Sequence, residues 1–393
     1  MTPVLRQILA VSKINLLSLP QRLWTSLSAM ISVALVVFVL LGALALNNGF
    51  QNTLNSSGAE TVAIVLRDGA GTEINSALTQ DQQNLLEEAP GIARRDGQPL
   101  VSREMLVVVD GRKKSTGTRV NLPLRGLDPA GLKVREGFRI TEGRMFAPGS
   151  GEIVVGRAAL GTFDGLALGR EARMGANSWK IVGIFESGGS VFESELWADR
   201  RVVQSLFSRG STVQSLRVRL TGPGALASLQ RYNAADPRLK TDIRTERSYF
   251  AAQSRRTSDL ITHIGKPITL LMALGALGGA INAMYASVAN RAGEIATLRT
   301  LGFGRLATFI GTMVEALLLA MSGGVIGMAA AFLIFNGLSV STIGANFAQT
   351  VFELQLSTGQ VLEGTFWAAT LGLLGGFLPA WRAARRPITQ LLD

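Results

Sequence analysis

Long stretches without charged residues constrain this chain more than any other feature. No charge lies between Arg22 and Glu60, none in residues 267–290, only Glu315 in residues 306–352, and none in residues 364–381. A helix that crosses a bilayer needs about 20 apolar residues. We therefore predict four transmembrane helices, over residues 25–46, 267–289, 307–335 and 364–381. Buried core helices are the alternative, which is disfavoured because soluble helices of this length keep a polar face.

Lysine and arginine near the span ends predict the orientation. Arg6, Lys13 and Arg22 precede the first span, and basic residues also lie in segments 290–306 and 382–393. The 336–363 loop has no Lys or Arg. Cytoplasmic loops carry the excess of these residues. Both termini and the 290–306 loop are therefore expected in the cytoplasm, with 47–262 and 336–363 outside.

The first span has two interpretations. Ala43-Leu44-Ala45 resembles the cleavage site of a signal peptide. The apolar stretch is longer than the 7–15 residues of a signal-peptide core, which favours an uncleaved anchor. The preceding residues 1–24 place Arg6, Lys13 and Arg22 among leucines, a pattern typical of an interfacial amphipathic helix.

Composition excludes several functional classes. The chain has no cysteine and one histidine, which excludes disulfides, thiolate chemistry and His-rich metal sites. Its net charge is +11, but aromatic residues do not interleave with the basic ones, so lipid headgroups are better partners than nucleic acid. The Gly265-Lys266 step precedes Pro267 and cannot be a phosphate-binding loop. We predict no catalytic, cofactor or metal site, and expect ATP hydrolysis on another chain.

Residues 47–262 are too many for a structureless loop and indicate a mixed α+β domain. Thr79 begins a capping box with Gln82, Asp110-Gly111 predicts a hairpin turn, and Asp199 predicts a helix start. The alternation in residues 213–220 predicts a half-exposed strand. The predicted fold class is an α-helical membrane protein with four transmembrane helices and a large mixed α+β extracytoplasmic domain between the first and second spans.

Glu193 and Glu195 are the close carboxylate pair of this domain. Two positions apart on a strand, they would point to one face and share a proton or a cation. A solvated sheet edge is the favoured interpretation.

Polar and small residues inside the spans carry further expectations. Gly275 with Gly279, and Gly323 with Gly327, form faces that let helices approach closely, either within the chain or across a dimer. An ionised Glu315 in a bilayer is costly, so a functional polar contact is expected there rather than a proton relay.

The segment after the second span predicts a short helix at the cytoplasmic surface. Ile295, Leu298 and Gly302 share one helix face, Leu301 flanks it, and Gly302 suits the C-terminal cap. A solvated interfacial helix and a docking helix for a cytoplasmic partner both fit this pattern.

Two motifs resemble the FtsX/MacB-type ABC transporter permeases, which include lipoprotein-release permeases. R-x-x-E-I-x-x-L-R-x-L-G is similar to their coupling segment and comprises Arg291, Glu294, Ile295, Leu298, Arg299, Leu301 and Gly302. Residues 376–388 resemble the closing P-A-x-R-A-A-R-x-x-P pattern through Pro379, Arg382, Arg385, Arg386 and Pro387. Pro387 follows Arg386 more closely than that pattern has it.

The resemblance implies a permease subunit without ATPase activity in a bacterial inner membrane. It implies a cytoplasmic ATP-binding subunit that carries ATP and Mg²⁺, a second permease subunit in a homodimer or heterodimer, and a periplasmic adaptor. The expected function is export or extraction of an amphipathic or lipid-like substrate. The alternative is an FtsX-like mechanotransmission protein that regulates an extracytoplasmic hydrolase without transport.

Overall fold

Two compact units make up the chain. A computed structural model describes residues 3–135, 137–290, 292–344 and 346–385, so Arg291, Arg386 and Pro387 of the predicted motifs lie outside the described residues. The helical unit comprises residues 1–48, 259–338 and 354–393. The sheet unit comprises residues 49–258 and 339–353.

Helices and strands alternate in the sheet unit, whereas long helices form the helical unit. The helices are α1 (Pro3–Leu17), α2 (Leu23–Asn55), α3 (Gln80–Glu87), α4 (Gly131–Val134), α5 (Arg157–Thr162), α6 (Arg200–Leu206), α7 (Ala225–Ala235), α8 (Glu246–Asn290), α9 (Ala292–Thr300), α10 (Arg305–Phe335) and α11 (Thr358–Arg385). Short 3₁₀ helices cover Leu19–Arg22, Glu73–Asn75 and Val191–Ser194. The strands are β1 (Val62–Arg67), β2 (Arg94–Arg95), β3 (Gln98–Pro99), β4 (Val101–Arg112), β5 (Arg119–Leu127), β6 (Arg139–Gly143), β7 (Glu152–Gly156), β8 (Glu171–Met174), β9 (Asn177–Glu186), β10 (Leu196–Asp199), β11 (Ser215–Arg219), β12 (Thr241–Thr245), β13 (Ser339–Ile343) and β14 (Gln349–Glu353).

Three helical segments among the described residues are long and apolar enough to cross a membrane. They are Leu19–Asn55, Arg305–Phe335 and Thr358–Arg385. Each contains one predicted span and extends beyond it. The predicted second span lies in α8, a single 45-residue helix with Pro267 in its interior. This helix is not among the three, so the count of four spans is not confirmed.

The sheet unit contains one ten-stranded sheet. Its order is β12-β1-β11-β4-β5-β10-β7-β9-β6, with β8 paired to β9. The units β1-α3-β4 and β11-α7-β12 interleave antiparallel to each other, which is the split βαβ arrangement of ferredoxin-like folds. The long strand β4 pairs with β11 through its first residues and with β5 through the rest. It therefore joins this half of the sheet to the half inserted between β4 and β11.

Local sequence signals place several elements correctly. The capping box at the start of α3 is present, because Thr79 and Gln82 each bond the other's backbone N–H through their side chains. The Asp199 carboxylate accepts from the backbone N–H groups of Arg201 (2.8 Å) and Val202 (3.3 Å) and so caps α6. These caps satisfy donors that the helix itself leaves unpaired.

The turn predicted at Asp110-Gly111 is wrong. Both residues continue β4 and pair with Asn121 and Val120 of β5, and the chain reverses over residues 113–118. A Cβ on Gly111 would lie 2.5 Å from Leu122 Cδ1. The glycine therefore makes room for close side-chain packing rather than for a turn.

The half-exposed strand predicted over residues 213–220 is also wrong in its burial. Strand β11 lies inside the sheet between β1 and β4, and four of its five residues are buried. Its apolar side chains enter the core of the ferredoxin-like half. On the other face, Ser215 and Arg217 are equally buried, and Arg219 at the end of the strand is partly exposed.

Candidate functional site

A buried cluster of ionic side chains occupies the centre of the sheet unit. It contains three guanidinium groups and four carboxylates, so acidic groups outnumber basic ones by one. Its members come from seven separate parts of the chain: Glu73, Glu104, Arg125, Arg135, Glu195, Arg217 and Glu246. Burying charges is costly unless each is paired and hydrogen-bonded.

Arg125 of β5 is the hub of this cluster. Its Nε and Nη2 donate to both oxygens of Glu195 at 2.7 Å, and its Nη1 and Nη2 donate to Glu73 at 2.9 Å. Nη1 also donates to Glu104 at 2.9 Å. The side chain is only 1% exposed. Such forked bonds fix orientation as well as charge.

Arg217 and Arg135 complete the pairing. Arg217 donates to Glu246 at 2.6 Å, to Glu73 at 2.8 Å and to Glu104. Arg135 makes a two-bond fork to Glu104, at 2.6 and 2.7 Å. Glu104 therefore accepts from all three guanidinium groups and links them into one network.

Two aromatic side chains pack against the ionic cluster. The guanidinium carbons of Arg125, Arg135 and Arg217 lie 5.7, 5.0 and 5.4 Å from the centre of the Phe192 ring. The indole N–H of Trp197 donates to Glu195 at 2.8 Å. Cation–π contacts of this kind stabilise arginines that are removed from water.

The network changes the acidity of its carboxyl groups. Burial alone raises the pKa of Glu104, but Arg135, Arg217 and Arg125 outweigh it and lower that pKa to about 2. Burial likewise opposes Arg125 and Arg217 at Glu73, whose pKa lies well below its usual value. Both carboxylates are ionised at neutral pH. Burial raises the pKa of the neighbouring Tyr249 hydroxyl.

Acidification is expected to destabilise the sheet unit through these two groups. A carboxyl with a lowered folded-state pKa contributes stability fully above its ordinary value of 4.5, and loses it as the pH falls through its folded value of about 2. The melting temperature, followed by tryptophan fluorescence, should fall steeply over this window. Glu104→Gln should be less stable at pH 7 and show a flatter pH dependence. An equal slope in both proteins would contradict this assignment.

The Glu193 and Glu195 pair is not a solvated strand edge, so that interpretation is wrong. Glu193 lies in the 3₁₀ helix Val191–Ser194, and both carboxylates are buried. Glu193 accepts from the backbone N–H groups of Ser187 (2.7 Å) and Gly189 (2.8 Å), whereas Glu195 binds Arg125. The two residues have separate structural partners, which leaves neither a shared proton nor a shared cation.

The hairpin β13–β14 belongs to the sheet unit although it connects α10 to α11. The backbone N–H of Val351 donates to the Ser194 hydroxyl at 2.8 Å, and this hydroxyl lies 3.4 Å from the Val351 carbonyl. The Val351 side chain is buried in the core of the inserted half of the sheet. Phe352 packs edge-to-face on Phe50, with ring centres 5.5 Å apart.

Strand β5 and the turn after β4 bind the remainder of this hairpin. Asn121 Nδ2 donates to the carbonyl of Phe347 at 3.0 Å, and Lys113 Nζ donates to the carbonyl of Ser341 at 3.2 Å. The hairpin is thus held by side-chain bonds to its backbone along its length. No sequence signal predicted this attachment.

The predicted coupling segment forms helix α9 and ends as expected. Phe303 N–H bonds the carbonyl of Leu298 (3.1 Å), Gly302 N–H bonds that of Arg299 (3.2 Å), and Gly302 has a φ of +93°. This is a Schellman cap, which favours glycine at the left-handed position. The prediction of Gly302 as the C-terminal cap is confirmed.

The two faces of α9 differ in exposure. Ile295 and Leu298 are buried against their own chain, and Ile295 clusters with Val288 and Ala383. Leu301 is 71% exposed, and Glu294 is exposed as well. The apolar residues of the predicted helix are therefore divided between two faces of α9. We call the buried face with Ile295 and Leu298 the inner face, and the exposed face with Glu294 and Leu301 the outer face.

Arg299 of α9 contacts the last turn of α11, which carries the described part of the closing motif. Arg299 Nη1 donates to the carbonyl of Ala384 at 2.9 Å and satisfies an acceptor in its last turn. Pro379 is buried in α11, and Arg385 lies 3.9 Å from the ring centre of Trp381. Arg382 stacks over Tyr285 of α8 at 5.0 Å.

Glu315 has a cationic partner that sequence reasoning missed. Arg22, in the 3₁₀ helix before α2, lies 3.4 Å from the Glu315 carboxylate, which is 1% exposed. A polar contact was expected at Glu315, but the sequence pattern did not identify Arg22 as its partner. The signal was Arg22, the last charge before the first apolar stretch.

The predicted glycine faces differ in their surroundings. A Cβ on Gly323 or Gly327 would lie 2.4 Å from the carbonyl oxygen of Met30 or Ala34, so these glycines pack against α2 within the chain. Gly279 approaches Ser32, whereas no described atom lies within 4 Å of a Cβ built on Gly275.

Metal ligands do not converge in the described part of the chain, where no group of three His, Asp or Glu side chains is arranged to hold an ion. The buried carboxylates are instead paired with arginines, which gives the ionic cluster a structural role. Long apolar helices attached to a large folded sheet unit define a membrane protein with a substantial domain outside its helical core.

Comparisons with known proteins give the family. A family model described as MacB-like periplasmic core domain matches residues 26–232, and one described as FtsX-like permease C-terminal matches residues 268–388. The chain belongs to the MacB/FtsX-type membrane permease family.

Curated relatives agree with this assignment. Proteins named macrolide export ATP-binding/permease protein, from Aeromonas hydrophila and Paracoccus denitrificans, are each 24% identical over 92% and 98% of this chain. The chain spans 56% and 58% of their lengths.

Two solved structures are also similar. The periplasmic region of MacB from Actinobacillus actinomycetemcomitans shares 13% identity at a TM-score of 0.37 over 51% of this chain and 94% of that one. The extracellular domain of the Gram-positive transporter YknZ shares 12% identity at a TM-score of 0.36 over 47% and 100%.

Proposed function

We propose that this chain is the permease subunit of an ABC-type exporter in a bacterial inner membrane. ATP hydrolysis takes place on a separate cytoplasmic subunit, and the sheet unit acts outside the membrane on an amphipathic or lipid-like substrate. The names of the curated relatives support export over regulation of a hydrolase. A second permease subunit and a periplasmic adaptor complete the proposed assembly.

The observation that carries the proposal is the hairpin between α10 and α11. The chain passes between the two units at residues 48/49, 258/259, 338/339 and 353/354. Two of these passages lie inside the continuous helices α2 and α8, and the other two flank the hairpin. Because Ser194, Asn121 and Lys113 hold the hairpin, displacement of α10 or α11 pulls directly on the sheet unit.

The outer face of α9 is the proposed docking surface for the ATPase. Glu294, Thr297 and Leu301 follow the i, i+3, i+7 spacing of one helix face, and all three are exposed. On the inner face, Arg299 binds the end of α11. A force on α9 would therefore be transmitted to α11, which directly follows the β13–β14 hairpin in the chain.

Single-cysteine labelling tests the orientation on which this function depends. The sequence has no cysteine, so Ser115→Cys in the sheet unit and Thr300→Cys on α9 each provide one reactive thiol at an exposed position. A membrane-impermeant maleimide should label Ser115→Cys in spheroplasts, and Thr300→Cys only after permeabilisation. Labelling of both sites in intact spheroplasts would leave α9 out of reach of a cytoplasmic ATPase and sink the proposal.

A further inference from the structure

The connection between α9 and α10 is short and rich in glycine. It comprises residues 301–304, and Gly302 and Gly304 provide the C-terminal cap of α9 and the N-cap of α10. Gly304 has no side chain that can cap α10. Glycine gives the backbone wide conformational freedom. Without a further contact, segment 301–304 would bend when a partner displaces α9.

One side chain from the other end of the sequence closes this connection. The backbone N–H of Gly304 donates to Gln7 Oε1 at 3.2 Å, and Gln7 Nε2 donates to the carbonyl of Gly302 at 3.4 Å. A primary amide supplies both a donor and an acceptor. The single amide of Gln7 therefore bridges Gly302, the cap residue of α9, and Gly304, the N-cap residue of α10.

Helix α1, which carries Gln7, is itself fixed to α10. Val11 is 2% exposed, and a Cβ on Gly311 would lie 2.6 Å from Val11 Cγ1. Beyond the end of α1, Arg22 pairs with Glu315 of α10. Gln7 thus projects from an element that is already packed along α10.

We propose that Gln7 is a positioning residue that locks the coupling helix α9 to α10. This role rests on the proposed function of α9 as the ATPase contact. When both Gln7 hydrogen bonds are formed, a displacement of α9 by the ATPase also displaces α10 and the hairpin that follows it. When these two bonds are broken, backbone rotation at Gly302 and Gly304 absorbs part of that displacement.

The test uses the chain purified with its ATPase subunit, in the variants Gln7→Ala, Gln7→Glu and Gln21→Ala. Gln21 is an exposed glutamine of the 3₁₀ helix after α1 and serves as the matched control. Three quantities are measured: bound ATPase per permease, amide hydrogen exchange of residues 301–306, and the change in exchange of the hairpin 339–353 when ADP and vanadate trap the ATPase.

Gln7→Ala should bind the ATPase normally, yet raise exchange in residues 301–306 by about 3- to 10-fold. This is the range expected when a backbone amide, here that of Gly304, loses its one hydrogen bond to Gln7. It should also lose most of the nucleotide-dependent change at the hairpin. Gln7→Glu keeps the acceptor for Gly304 but not the donor to Gly302, so its response should be intermediate. Gln21→Ala should match wild type.

Two results would overturn the inference in distinguishable ways. If Gln7→Ala shows the wild-type change at the hairpin, Gln7 has no positioning role even though the proposed function stands. If the wild-type chain binds no ATPase, the proposed function fails and the positioning role fails with it.

Discussion

Arg217→Met is expected to lower the free energy of unfolding of the sheet unit by about 3–5 kcal/mol. Arg217 is fully buried and donates to Glu73, Glu104 and Glu246. Methionine fills much of the volume but supplies no charge. The four carboxylates of the cluster are then left with two guanidinium groups, and an uncompensated buried charge is strongly unfavourable.

Chemical denaturation of the full chain, followed by tryptophan fluorescence, measures this effect. Arg139→Met is the matched control, because Arg139 also pairs with a glutamate, Glu186, but is 73% exposed. Its loss should cost about 0–1 kcal/mol. Arg217→Lys keeps a positive charge but cannot fork between two carboxylates, so it should fall between the two. Equal midpoints for Arg217→Met and Arg139→Met would show that the cluster does not stabilise the fold.

The ionic cluster could not be predicted from the sequence. Glu73, Arg125 and Arg217 lie far apart in the chain, and charged side chains are rarely fully buried. The alternation around Arg217 therefore favoured a solvated face. The pattern could not show that β11 lies inside the sheet, because this position depends on its pairing with β1 and β4. Caps such as Thr79 and Asp199 were predictable because their bonds lie within a few residues.

Helix α9 shows a similar contrast between what the sequence predicted and what it could not. The presence of a short helix and its glycine cap follow from local spacing, and the structure agrees with both. The spacing could not show which apolar residues face the chain itself, because Val288 and Ala383, near Ile295, belong to two other helices. Ile295 and Leu298 are thus buried within the chain itself. The predicted contact with the ATPase is therefore assigned to the exposed Leu301.

Leu301→Asp is therefore expected to abolish co-purification of the ATPase subunit. Leu301 is 71% exposed, and burying a leucine in a partner's groove contributes about 1.5–3 kcal/mol, or roughly 10- to 100-fold in affinity. An aspartate there also places an unpaired charge in an apolar groove, which weakens binding further. The chain should still fold, because its own core does not use this side chain.

Two matched leucines make the result specific. Leu168, in the sheet unit, is 43% exposed, so Leu168→Asp should leave ATPase binding unchanged. Leu298 is 9% exposed, so Leu298→Asp should lower the melting temperature of the chain itself, which Leu301→Asp should not. A pull-down of the ATPase, with a melting curve for each variant, separates these effects. Full ATPase binding by Leu301→Asp would show that the outer face of α9 is solvated and that the partner contacts the chain elsewhere.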